Sequence, residues 1–116
     1  MKSTKRTKII VLALIAAAAL AGVLLYPQAP QEMASHWNSQ GQVNGYLPKF
    51  WGLFLMPIIS LAMFLLFALI PKIDPLKENI QKFRKYFDSF VVLIIVFMVY
   101  AHALTLFWNF GFRFDM

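Results

Sequence analysis

Phe50-Trp51-Gly52-Leu53-Phe54-Leu55-Met56-Pro57-Ile58-Ile59-Ser60-Leu61-Ala62-Met63-Phe64-Leu65-Leu66-Phe67-Ala68-Leu69-Ile70 is a run of 21 residues without one charge. As a helix rising about 1.5 Å per residue it covers about 31 Å, the thickness of a bilayer's hydrocarbon core. Pro57 lies inside the run and lacks the amide that would bond the carbonyl one turn earlier. Spanning helices tolerate such a gap when a hydroxyl or a neighbouring helix takes over the freed carbonyl. Ser60 is the nearby hydroxyl: either it takes that carbonyl or it serves packing alone.

Outward from this run the pattern repeats. Upstream, residues 9–26 are again uncharged and follow a basic start containing Lys2, Lys5, Arg6 and Lys8. Ala19-Leu20-Ala21 resembles a signal-peptide cleavage site, but the apolar run exceeds the usual signal core of about 7–15 residues, so an uncleaved first span is expected. Ala18 and Gly22 are four apart and form a small-residue face, with Ala17 and Ala21 beside it. Such a face admits close approach of another helix, in this chain or in a second copy. Downstream, 90–112 is a third apolar segment, interrupted by Tyr100, His102, Thr105, Asn109 and Gly111. Trp51 and Trp108 fit the aromatic belt of a membrane boundary.

Composition agrees. The chain has 116 residues, 60% of them hydrophobic and 14% charged, against roughly 45–50% and about 25% in soluble domains. The expected fold is an all-α membrane protein in one domain, 1–116, with spans at about 9–26, 50–70 and 90–112. An ordered outer loop fills 27–49 and an inner amphipathic segment 71–89. In that segment Asp74-Pro75 is a good helix start. Leu76, Ile80, Phe83 and Phe87 then mark an apolar face, and Lys77, Lys82, Arg84 and Lys85 a basic one suited to lipid headgroups or a regulator.

The net charge of +6 does not imply nucleic acid, because the cations cluster at the ends of apolar runs. Four lie at the N-terminus and five in 71–89, against Lys49 and Arg113 on the other side. Positive charge stays cytoplasmic. The expected placement is therefore a multi-pass membrane protein with the N-terminus cytoplasmic and both the 27–49 loop and the C-terminus outside.

That loop is where function is expected. His36-Trp37-Asn38, Gly41, Asn44-Gly45 and Lys49 combine amphipathic rings, paired amide donors and acceptors, a cation and two conformationally free glycines. They suit a peptide, a lipid headgroup or a partner protein. They equally suit a folded cap in which His36 and Asn38 bond the loop to itself. Within the third span His102 is a second candidate, since ionisable groups at that depth are functional hypotheses by default. Asn109 shares its helical face, and Ser60 is its expected partner. Transport or catalysis through His102 is a weaker reading. With two histidines and no cysteine, neither a full zinc ligand set nor any cofactor is expected, and the chain is not expected to be an enzyme.

The order His36-Trp37-Asn38-x-x-Gly41-x-x-Asn44-Gly45, then Lys49, Pro57 and Pro71-Lys72-Ile73-Asp74-Pro75 with Asn79, resembles a small prokaryotic membrane domain of unknown function. That domain forms the N-terminal half of SdpI-type immunity proteins. The resemblance runs from Pro27 onward. It implies protection from a secreted peptide toxin and signalling of its presence through a repressor recruited to the membrane. Two positions depart from that pattern: Ala34 stands where proline is usual, and Asn44 where aspartate is usual. SdpI-type proteins also continue with a further set of spans, so activity in that second half is not expected here. A structural accessory subunit, or a half-length unit that homodimerises through Ala18 and Gly22, is the alternative.

Overall fold

The computed structural model describes residues 5–73 and 82–114. Its elements are helix α1 (Lys5–Leu25), a 3-10 turn (Tyr26–Gln28), strands β1 (Glu32–Trp37) and β2 (Val43–Pro48), then helices α2 (Lys49–Ile73) and α3 (Arg84–Asn109). All three helices are long and apolar enough to cross a membrane. Pro27 turns the end of α1 into the tight 3-10 segment, because it has no amide to continue the helix.

The all-α expectation needs correction. The 27–49 loop contains a β-hairpin in which β1 and β2 pair antiparallel. Along β2, half-buried Val43, Gly45 and Leu47 alternate with exposed Asn44, Tyr46 and Pro48, the period-two pattern of a strand with one face covered. The register is irregular on both sides of His36, which pairs with Gly45. A Cβ at Gly45 would lie 3.0 Å from the His36 Cβ, so this crossing leaves little room for a side chain.

The helices run past the expected spans at their N-terminal ends. The first helix begins at Lys5 and the third at Arg84, so residues 84–89 of the expected amphipathic segment are the opening of α3. Residues 71–73 of that segment end α2, and 74–81, with Leu76, Lys77 and Ile80, lie outside the described residues.

The bundle has two cores. Towards the N-terminal end of α1, Val11 and Ile15 pack with Phe64 of α2 and with Val91 and Ile95 of α3. Towards the hairpin, Met33 of β1 and Leu53 of α2 join Ala29, and Leu106 and Phe110 close around them. Met33 sits so near α2 that a Cβ on Gly52 would fall 2.8 Å from its own. Glycine at this position is what lets the hairpin lie down on the helix. The small-residue face of α1 is taken within the chain, since a Cβ on Gly22 would meet the Phe54 ring at 2.8 Å. Ala18 is buried on the same face. A second copy would have to pack elsewhere.

Candidate functional site: a cavity roofed by the hairpin

The hairpin is built around Asn38. Its Oδ1 accepts from the backbone amides of Gln40 at 2.9 Å and Gln42 at 3.0 Å. Its backbone N–H donates to the Gln42 carbonyl at 2.8 Å, and Gly41 donates to the Asn38 carbonyl at 3.0 Å. An Asn side chain reproducing a backbone turn is the usual means of closing a short polar loop. Gly41 holds φ +78°, a left-handed value that favours glycine. Across the strands, His36 Nδ1 hydrogen-bonds Asn44 Oδ1.

Lys49 belongs to the scaffold. Its backbone N–H reaches the Gln31 carbonyl at 2.9 Å. Its Nζ donates to the Tyr26 carbonyl at 3.3 Å and lies 4.4 Å from the centre of the Tyr26 ring. A cation at carbonyls ending α1 is favoured by the helix dipole as well.

Asn109 fastens the hairpin to α3. The Ala34 N–H donates to Asn109 Oδ1 at 2.7 Å, and Asn109 Nδ2 donates to the Ala34 carbonyl at 2.9 Å and the Thr105 carbonyl at 2.7 Å. One side-chain amide thus stands in for the missing next strand, meeting both polar groups of a residue only 3% exposed. A proline at position 34 would lack the donor for the first of these bonds. The departure at Ala34 therefore has a structural use.

Below the hairpin lies a cavity of about 400 Å³ between β1, the first half of α2 and the second half of α3. Its walls are mostly apolar, from Leu47, Trp51, Leu55, Met56, Ala101 and Leu104, while His36, Trp37, His102 and Thr105 supply the polar atoms. Thr105 spends its hydroxyl on the His102 carbonyl at 2.7 Å. Trp37 packs edge-on against Trp108 with ring centres 5.4 Å apart, and the Arg113 guanidinium covers the Trp108 ring at 3.7 Å.

His102 is 4% exposed and hydrogen-bonds the backbone of Leu53. Leu53 is four residues before Pro57, so its carbonyl is the one that Pro57 leaves without a helical donor. Of the two readings of Ser60, the hydroxyl serving that carbonyl or packing alone, the contacts fit packing, and the expectation that Ser60 partners His102 needs correction. Ser60 Oγ instead faces Met98 Sδ at 4.0 Å. Its position one turn past Pro57 puts it on the wrong side of the gap. Two buried ring nitrogens remain without a hydrogen-bond partner on the residues lining this cavity: His102 Nε2 and Trp37 Nε1. Polar groups left so in a native structure point to a missing partner.

At the opposite end, Arg84 was expected on an exposed basic face with Lys82 and Lys85. Lys82 and Lys85 are exposed, but Arg84 is 4% exposed and its Nε lies 3.0 Å from Asp88 Oδ1. The i,i+4 spacing of the pair on one helix makes that contact and draws the guanidinium inward. Among the described residues, no three His, Asp or Glu side chains gather as a metal site.

Three helices long and apolar enough to cross a membrane, the first two joined by a polar hairpin, define a multi-pass membrane protein. The profile of a family described as a domain of unknown function (DUF1648) matches residues 13–61, from α1 through the hairpin into α2. The matched stretch holds the hairpin and Pro57 but neither His102 nor Asn109. No curated protein and no solved structure matches the chain.

Proposed function

We propose that this chain is a membrane-embedded binding module of the immunity or sensor type, whose ligand enters the cavity beneath the hairpin. The observation carrying this reading is the pair of unpartnered buried nitrogens, His102 Nε2 and Trp37 Nε1, on residues lining one largely apolar cavity. Ligand pockets are typically of this kind: apolar walls with a few polar groups that fix orientation. The occupant is an apolar group carrying one or two hydrogen-bonding atoms, such as a side chain of a secreted peptide.

The charge distribution supports the N-terminus cytoplasmic and the hairpin outside, and the resemblance supports a prokaryotic cell (inner) membrane. In this arrangement His36 and Trp37 meet the ligand. Asn38, Gly41, Asn44 and Gly45 shape the roof, Lys49 ties it down, and His102 forms the floor.

The test is survival of cells making the protein when challenged with membrane-active peptides secreted by their own species, together with peptide binding in nanodiscs followed by tryptophan fluorescence. Protection and binding that are both lost in H102F, with the fold retained, are expected. Absence of both protection and binding across such peptides would end this reading.

A further inference from the structure

We propose that the cleft between the start of α1 and the start of α3 binds the phosphate of an anionic membrane lipid. This site lies at the end of the bundle away from the hairpin and does not depend on the reading of the cavity there.

The cleft has a volume of about 650 Å³, and its lining includes Arg6, Arg84, Lys85 and Ser89, with Val92 and Val96 further along α3. Arg84 is 4% exposed, and its Nη1 is buried without a hydrogen-bond partner. The neighbouring Nε makes a charge contact with Asp88 at 3.0 Å, which leaves Nη1 for another acceptor. An uncharged acceptor would meet only part of the demand, since hydrogen bonds from guanidinium to an anion are about twice as strong as neutral ones. Arg6, Arg84 and Lys85 against Asp88 give the cleft a net formal charge of 3 − 1 = +2.

The apolar residues decide what carries the phosphate. Val92, Leu93 and Val96 extend the cleft by about three turns from Arg84 into the apolar part of the helix. A free phosphate would leave that wall uncovered, whereas an acyl chain would lie along it. The polar and apolar ends follow each other in the order of headgroup and chain.

Native mass spectrometry of protein released from nanodiscs of equal parts phosphatidylglycerol and phosphatidylcholine tests the assignment. The wild type should retain one phosphatidylglycerol at least fivefold over phosphatidylcholine. R6Q/K85Q leaves the buried Arg84–Asp88 pair in place and should bring that preference below twofold, with an unchanged melting midpoint in pure phosphatidylcholine. R84K keeps the charge but loses the fork, and should also lower retention. Equal retention of the two lipids by the wild type, or a preference untouched in R6Q/K85Q, would overturn the proposal. Displacement of phosphatidylglycerol by millimolar inorganic phosphate would overturn the lipid and leave a free-phosphate site. Displacement by polyglutamate would replace it with an acidic protein partner.

Discussion

The two ends of the bundle solve the same problem, polar groups in an apolar surround, in different ways. At the hairpin end side-chain amides and an imidazole do most of it. Asn109 serves both backbone groups of Ala34, Asn38 serves two amides of the turn, and His102 serves the backbone of Leu53. At the other end a charged pair, Arg84 and Asp88, is buried directly. Neutral bonds keep a cavity open at modest cost, whereas a buried ion pair is expensive to form and more expensive to break. The hairpin end should therefore tolerate remodelling by a ligand, and the opposite end should hold its geometry.

The largest expected effect follows from breaking the ion pair. D88A strands the Arg84 guanidinium, and breaking such a buried pair typically costs about 3–5 kcal/mol. Denaturation in detergent should show this, and R84M/D88L should recover much of the loss. Next is N109A, which leaves two backbone groups of Ala34 without partners; each such group costs about 1–3 kcal/mol. The loss should appear as detachment of the hairpin with the helices still formed, read by circular dichroism and proteolysis between residues 32 and 48.

Smaller again, H102F should destabilise by about 1–3 kcal/mol, because the Leu53 carbonyl loses its donor. Its sharper form is a double-mutant cycle with P57A. Alanine restores the helical amide four residues after Leu53, so His102 should matter less in that background, with a coupling of about 1 kcal/mol. Additive losses would show that the histidine is not serving the carbonyl freed by Pro57. Smallest is K49M, which removes an exposed cation–π contact and one bond to Tyr26, for about 0.5–1 kcal/mol.

The same contrast explains what could be read from the residues alone. The three helices were legible because absence of charge over a bilayer's length is a one-dimensional property. The hairpin was hidden because Met33 and Ala34 are both buried and the register shifts beside Ser35, breaking in β1 the alternation that marks strands. What remained looked like a polar, glycine-rich loop. Within β2 the alternation is intact, and it was the available signal. Asn109 and His102 stood out as polar residues in an apolar run, but their partners are 75 and 49 positions away and depend on how the helices rotate. Pro57 announced a carbonyl in need of a donor without saying which residue would supply it. Arg84 was placed on the wrong face although Asp88, four residues on, was in plain view.

The central claim is that a hairpin clamped to the third helix roofs the cavity. Amide hydrogen exchange at Ala34 in nanodiscs tests it most directly, because that N–H points to Asn109 rather than to β2. The account predicts slow exchange in the wild type and exchange faster by at least about 100-fold in N109A, the loss of about 3 kcal/mol of local protection. Amides bonded between β1 and β2 should change less. Fast exchange at Ala34 in the wild type, or no change in N109A, would contradict the clamp and the roof it holds in place.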